Sequence, residues 1–149
     1  MPLFWRALAA FLLLPAVVAF AIPWVLMGPR PWGPLDLLGL VPFTLGAVLL
    51  LTCVVAFYRQ GRGTLAPWDP PRHLVATGVY RWSRNPMYVG VLLILISWAV
   101  AWSSTAHAIY AVIVMLAFHL RVVLGEEPWL ARTHGEAWTR YRSEVRRWF

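Results

Sequence analysis

Four long apolar runs divide the 149-residue chain and set what it can fold into. They cover about residues 7–27, 35–58, 86–102 and 106–125. A helix rises ~1.5 Å per residue, so ~20 apolar residues cross the ~30 Å hydrocarbon core of a bilayer. The third run is short for a span and covers most of that core. We therefore predict an all-α integral membrane protein, with four transmembrane helices in a single domain over residues 1–149.

The composition supports this class and limits the kinds of molecule that the protein is expected to bind. Hydrophobic residues make up 60% of the chain and charged residues only 13%, which is too apolar for an ordinary soluble domain. The net charge of +7 comes from arginines that flank the apolar runs, so membrane lipids with anionic headgroups explain it better than nucleic acid. The single cysteine, Cys53, excludes an internal disulfide, a cysteine-based zinc site and an iron–sulfur cluster, and no metal is expected.

The arginines also predict a topology. They are concentrated in the loop of residues 59–85 and in the segment after residue 121, whereas residues 28–34 contain only Arg30 and residues 103–105 contain none. Cytoplasmic loops carry the excess of basic residues, so we expect both termini on the cytoplasmic side. We expect the membrane to be the inner membrane of a bacterium.

The first run resembles a signal peptide at one point, because Ala19, Phe20 and Ala21 match a signal-peptidase site. The apolar residues continue past this point, so an uncleaved helix is the better interpretation. Pro15 and Pro23 should kink the helix, which membrane proteins tolerate when neighbouring helices satisfy the freed carbonyl groups. In the second run, Gly39 and Gly46 could allow close helix packing.

The C-terminal segment, residues 126–149, reads as a separate element. Pro128 disfavours helix at Glu127 and should end or bend the fourth helix there. Beyond Gly135, apolar residues recur at helical spacing with arginines between them: Trp138, Tyr141, Val145 and Trp148. This pattern predicts a basic amphipathic helix on the inner membrane surface, with a solvated charged tail as the alternative.

A polar segment leads into the third run at residues 78–90. Asn85 is a good N-cap residue, and Pro86 follows at the first helical position. The helix start therefore points its free N–H groups and positive dipole end toward Arg81 and Arg84, as an anion site would. The alternative is a membrane helix with ordinary interfacial Arg and Tyr anchors.

Runs three and four form a tight hairpin, which returns both of its ends to one membrane face. The start of run three should therefore meet Glu126 and Glu127, and His119, seven residues before Glu126, should share their helix face. The predicted pocket contains Tyr80, Arg81, Arg84, Asn85, Tyr88, His119, Glu126 and Glu127. The alternative is a structural ion pair between Arg84 and one glutamate. Two carboxylates exceed the need of one arginine, which favours a ligand with positive charge.

Residues 78–90, the hairpin and the later Glu126-Glu127 pair resemble the isoprenylcysteine carboxyl methyltransferase family. Membrane phospholipid methyltransferases share this core, and the resemblance covers roughly residues 65–148. Asn85 stands where eukaryotic members usually have histidine, and bacterial relatives often have asparagine.

The resemblance implies an S-adenosylmethionine cofactor, enclosed by the hairpin, by loop 59–85 and by segment 126–149. The implied cofactor-binding residues are Leu74, Val75, Gly78, Tyr80, Arg84, Asn85, Pro86, Tyr88, Glu126 and Glu127. The residues assigned to catalysis are Arg84, Glu127 and His119. The cofactor carboxylate suits an arginine at a helix start, its ammonium or ribose suits a glutamate, and its adenine or sulfonium suits a tyrosine.

The expected function is methyl transfer to a lipophilic acceptor, either a carboxylate, a thiol or a phospholipid amine, at the cytoplasmic membrane face. One alternative is an NADPH-dependent membrane reductase of the sterol-reductase type, although those proteins are much larger. The other is a small four-helix membrane protein without enzymatic activity. The absence of a carboxylate well inside any run counts against a transporter of that kind.

Overall fold

The computed structural model describes residues 12–27, 34–61 and 73–149, in which all regular structure is helical. Helix α1 is a π-helix over Leu12–Ala21 that continues as an α-helix over Ile22–Leu26. The other helices are α2 (Pro34–Ala56, with a π-helical turn Phe57–Gly61), α3 (Pro86–Trp102), α4 (Thr105–Arg121) and α5 (Glu127–Glu144). The start of the first run, the first turn, and residues 62–72 of the predicted loop lie outside the described residues.

Two helical segments in the described part of the chain are long and apolar enough to cross a membrane, Asp36–Gln60 and Thr105–Glu144. Two shorter apolar helices accompany them, Pro15–Leu26 and Pro86–Trp102. The all-helical class is confirmed. Four spans with cytoplasmic termini stay a prediction.

Helices α2 and α3 run antiparallel with their backbones in close approach. A Cβ atom added to Gly46 would lie 2.6 Å from the carbonyl oxygen of Gly90 and 2.9 Å from Cγ1 of Ile94. Gly39 lies two turns before Gly46 on α2, and a Cβ atom added there would lie 2.8 Å from Cβ of Ala101. Small residues of this kind let membrane helices pack backbone to backbone, as the sequence predicted.

We expect Gly46→Ala to destabilise the fold. Alanine favours a helix over glycine by about 1 kcal/mol, but the added methyl group meets backbone atoms of α3 that have no room to move. Overpacking of this kind costs about 1–3 kcal/mol. The matched control is Gly125→Ala, because no atom lies within 4 Å of a Cβ added there. Thermal unfolding in detergent compares the two variants, and equal midpoints would contradict the close contact.

Pro23, the second of two prolines in α1, leaves carbonyl groups that side chains of the α3–α4 hairpin satisfy. Pro23 has no N–H to donate to the carbonyl oxygen of Ala19, and the indole Nε1 of Trp98 donates to it instead, at 2.9 Å. The hydroxyl group of Tyr110 donates to the carbonyl oxygen of Val18 at 3.1 Å. The predicted satisfaction by neighbouring helices is confirmed at this proline.

A turn of two serines joins α3 to α4. Ser103 adopts the left-handed conformation, with φ of 45°, and its N–H and that of Ser104 donate to the carbonyl oxygens of Val100 and Ala99. The hydroxyl oxygen of Ser104 then caps α4 by accepting from the N–H of His107. The predicted hairpin forms, and it places the start of α3 beside the end of α4.

The helix does not end at Glu127, which was one of the two outcomes predicted for Pro128. A π-helical turn, Val122–Glu126, leads directly from α4 into α5, and Glu127 has helical angles, with φ of −62° and ψ of −44°. Pro128 lies in the first turn of α5, where no N–H is needed. The wider turn before Pro128 removes the clash that its ring would make in a regular helix.

Helix α5 breaks at Gly135, whose φ of 49° and ψ of −118° suit only glycine, and then resumes. The resumed part is the amphipathic helix that the sequence predicted. Its apolar residues Trp138 and Tyr141, together with Val145, are buried against three partners: Leu74, Ala76 and Leu130. The apolar face therefore packs on the loop before α3 and on α5 itself, and the position of this helix on the inner membrane surface stays a prediction.

Candidate functional site

A cavity of about 740 Å³ lies where loop residues 73–85, the start of α3, the end of α4 and α5 meet. This volume falls in the usual range of small-molecule sites. Aromatic residues contribute much of its wall: Phe57, Tyr80, Tyr88, Trp129, Trp138 and Tyr141. The loop, the hairpin ends and the C-terminal helix enclose the cavity together.

Most residues of the predicted cofactor set line this cavity. They are Leu74, Val75, Tyr80, Arg84, Asn85, Tyr88 and Glu126. Gly78, Pro86 and Glu127 do not line it. Gly78, with φ of 61°, starts the short 3₁₀ turn Gly78–Arg81, and Pro86 is buried where it opens α3.

Glu127 binds two arginines and has no free oxygen. Its Oε1 accepts from Nη1 of Arg84 and from Nε of Arg147, both at 2.8 Å. Its Oε2 accepts from Nη2 of Arg147 at 2.9 Å. Burial raises the pKa of Glu127, but the hydrogen bond from Arg147 and the charge of Arg84 outweigh burial, so the pKa lies below its ordinary value. The structural ion pair considered from the sequence is what Glu127 forms.

Arg84 lies between this ion pair and the cavity. Its guanidinium carbon is 5.5 Å from the ring centre of Trp138, a cation–π arrangement. Its backbone N–H donates to the carbonyl oxygen of Arg146 at 2.9 Å. Its Nε is buried and has no partner among the described residues. Arg84 is therefore fixed by three groups, and its Nε–H remains available as a donor.

Asn85 precedes α3, but its side chain does not cap the helix. Its Nδ2 donates to the carbonyl oxygen of Arg147 at 2.9 Å, and its N–H donates to Oγ of Ser83 at 3.1 Å. The hydroxyl group of Ser83 also donates to the carbonyl oxygen of Arg147, at 3.3 Å. The predicted cap is wrong: the hydrogen bond from Nδ2 to Arg147 orients the amide toward the chain after α5, and Oδ1 accepts from no N–H of α3, although Pro86 does open α3.

Glu126 differs from its neighbour because it faces the cavity. Its Oε1 accepts from the hydroxyl group of Tyr88 and, at 2.8 Å, from Nε of Arg121. The same Nε lies 3.0 Å from the hydroxyl oxygen of Tyr88. The second oxygen of Glu126, Oε2, has no partner among the residues that the structure describes. The two adjacent glutamates thus have different surroundings, and only Glu126 offers a free oxygen to a ligand.

His119 lies outside the cavity, where its exposed ring stacks on Trp148 with 6.2 Å between ring centres. The seven-residue spacing to Glu126 predicted a shared helix face. The π-helical turn Val122–Glu126 interrupts the regular repeat between the two residues, so the prediction is wrong. Arg81 is also exposed and does not line the cavity.

The cavity contains charged and titratable residues that sequence reasoning missed: His73, Arg121, Arg132 and His134. The hairpin argument that placed Glu126 beside Tyr88 applies equally to the last turn of α4, and it would have found Arg121. Burial lowers the pKa of His134, and the nearby His73 lowers it further. Arg147 had no sequence signal, because its partner Glu127 is 20 residues away.

Comparison with known proteins gives one family. No curated protein and no solved structure matches the chain. A family model described as phospholipid methyltransferase matches residues 36–137, which is more than half of the 149 residues. The match runs from α2 into α5 and includes most of the cavity lining, and the family implies methyltransferase activity in a membrane setting. The chain belongs to the phospholipid methyltransferase family.

Proposed function

We propose that the protein is an integral membrane methyltransferase that binds S-adenosylmethionine in the 740 Å³ cavity and methylates a lipophilic acceptor. We place the cavity at the cytoplasmic face of a bacterial inner membrane, with four spans below it. The observation that carries the proposal is a cavity whose wall lies almost wholly in the family-matching region and offers both signs of charge.

The residues present fit this cofactor. Arg84 keeps an unused donor at Nε, which suits the cofactor carboxylate, and the start of α3 adds its positive dipole end. The free Oε2 of Glu126 suits the ammonium group. Tyr80 and Trp138 belong to the aromatic wall, which suits the adenine ring. Glu127 is left with a positioning role, because it holds Arg84 and does not face the ligand.

When bound, S-adenosylmethionine supplies an activated methyl group on its sulfonium. The chain contributes alignment of cofactor and acceptor and an apolar wall that excludes water, which are large terms in a displacement at carbon. A carboxylate or thiolate acceptor needs no base. A protonated amine must lose a proton first, and we assign the base to His134, which lies in the cavity wall and has a lowered pKa, in place of the exposed His119.

The acceptor enters from the side of the bundle. Leu120, in the last turn of α4, and Leu124, in the π-helical turn that follows, both line the cavity, and 56% and 73% of their surfaces are exposed. These side chains lie on a helix long and apolar enough to cross a membrane, so lipid covers their outer surface in place of water. This supports a lipophilic acceptor that reaches the cavity without leaving the membrane.

Thermal unfolding of the purified protein in detergent tests the cofactor. We expect S-adenosylhomocysteine to raise the midpoint, since a ligand at 100 times its Kd stabilises by about 2.7 kcal/mol. We expect NADPH to leave it unchanged. Stabilisation by NADPH alone would support a reductase, and stabilisation by neither would support a protein without enzymatic activity. Incubation with labelled S-adenosylmethionine and total membrane lipid, followed by mass spectrometry, then identifies the acceptor.

A further inference from the structure

Arg121 is held in one orientation at the cavity wall. Its Nε lies 2.8 Å from Oε1 of Glu126 and 3.0 Å from the hydroxyl oxygen of Tyr88. Its side chain is 44% exposed, and its two terminal nitrogens have no partner among the residues that the structure describes. An arginine anchored through Nε presents the rest of its planar fork to a ligand, a geometry that suits an oxygen anion.

The positive charge of the cavity wall also favours an anionic ligand. Among the described lining residues, three arginines (Arg84, Arg121 and Arg132) face one carboxylate, Glu126, which is a net charge of +2 with the histidines neutral. The cofactor of the proposed function is itself a net cation, because it carries a sulfonium, an ammonium and one carboxylate. Like charges in a partly desolvated site repel strongly. An acceptor with a negatively charged group would offset the positive charge of both the cavity wall and the cofactor.

Apolar surface adjoins Arg121 on its own helix. Leu120 precedes it, Leu124 follows one turn later, and both are exposed and line the cavity. A group that binds here therefore meets a cation and hydrocarbon contacts together. A lipid with an anionic headgroup matches both features, because its headgroup carries the charge and its chain supplies the hydrocarbon.

We propose that Arg121 binds an anionic oxygen group, phosphate or carboxylate, on the acceptor lipid, and that Tyr88 and Glu126 position its guanidinium. The proposal rests on the proposed function and assigns separate roles to two arginines. Arg84 is held by Glu127 and Trp138 and faces the cofactor. Arg121 selects acceptors that carry negative charge near the methylated group.

The test compares Arg121→Gln with Arg140→Gln, a control at an exposed arginine of α5 outside the cavity wall. Methyl transfer from labelled S-adenosylmethionine is measured with three acceptors: phosphatidylethanolamine, an S-prenylated cysteine with a free carboxylate, and a long-chain amine without an anionic group. We expect Arg121→Gln to raise the KM at least about tenfold for at least one of the two acceptors that carry an anionic oxygen group, since a hydrogen bond to a charged group is worth about 1.5–3 kcal/mol. The KM of the long-chain amine, which carries no anionic group, should change little.

The affinity for S-adenosylhomocysteine distinguishes a role of Arg121 in acceptor binding from a role in cofactor binding. We expect the affinity for S-adenosylhomocysteine to stay within about twofold in Arg121→Gln, and Arg121→Lys to recover part of the KM loss, because lysine keeps the charge without the fork. A parallel loss of cofactor affinity, or an unchanged KM for both anionic acceptors, would overturn the assignment. A wild-type protein that methylates only the plain amine would overturn it as well. Failure of the wild-type protein to bind S-adenosylhomocysteine would instead overturn the proposed function. The two anionic acceptors distinguish phosphate from carboxylate.

Discussion

The change Glu127→Gln is expected to destabilise the fold, whereas Glu126→Gln is expected to weaken cofactor binding and leave the fold nearly intact. Glu127 pairs with both Arg84 and Arg147, and the side chains of Arg84 and Glu127 are only 9% and 11% exposed. Removing one partner of a buried ion pair costs about 3–5 kcal/mol. The pair of Arg121 and Glu126 is 44% and 33% exposed, and such pairs contribute about 0–1 kcal/mol.

Measurements of stability and of cofactor affinity should rank the two glutamate variants in opposite order. Thermal unfolding without ligand should show a large loss for Glu127→Gln and a small one for Glu126→Gln. Titration with S-adenosylhomocysteine at a temperature where both variants are folded should show the larger affinity loss in Glu126→Gln. A Glu127→Gln protein that is as stable as the wild type but does not bind the cofactor would restore Glu127 as a direct ligand.

Acid gives an independent check on Glu127. Because its folded-state pKa lies below the ordinary value of 4.5, the carboxylate contributes stability that is fully present above pH 4.5. That stability is lost as the pH falls through the lowered folded-state pKa. The wild-type protein should therefore lose its advantage over Glu127→Gln in this acid range, and a constant difference down to pH 2 would count against the ion pair.

The sequence was sufficient for the helices and for the meeting of the hairpin ends. Helix α3 begins at Pro86 and ends at Trp102 as predicted, because a proline fixes its first turn and two serines form the turn that follows. The hairpin argument needs only helix lengths and a short turn, so it correctly brought Tyr88 to Glu126 and Arg84 to Glu127. These inferences depend on local chemistry and on the thickness of a bilayer.

The side-chain roles could not be predicted in the same way. The face of His119 was inferred from a repeat of 3.6 residues, and the π-helical turn Val122–Glu126 changes that repeat without a proline inside it. The role of Asn85 depends on a carbonyl oxygen of Arg147, and a backbone group carries no sequence signal. The two glutamates were indistinguishable by type, and only the path of the C-terminal chain decides which one receives Arg147.

Because the end of the chain holds Arg84 and Asn85 in place, its removal should have the second large effect on cofactor binding. Deletion of residues 145–149 is expected to abolish measurable binding of S-adenosylhomocysteine, although none of these residues lines the cavity. The segment supplies the Arg147 side chain to Glu127 and two carbonyl oxygens, which accept from the N–H of Arg84 and from the side chain of Asn85. Without this segment, the backbone N–H of Arg84 loses its acceptor. Glu127 also loses its hydrogen bonds from Arg147 and keeps only Arg84 as a partner.

The matched control removes only Phe149, which is 65% exposed and makes none of these contacts. We expect it to bind like the wild type, and Arg147→Ala to fall between the control and the full deletion. Circular dichroism of each variant in detergent shows whether the helices remain. A folded deletion variant with wild-type affinity would mean that Arg84 needs no support from the chain end. Because the deleted residues lie outside the cavity wall, any loss of affinity in a folded variant must act through the lining residues that they support, which are Arg84 and Asn85 by hydrogen bonds and Trp138 and Tyr141 by packing against Val145.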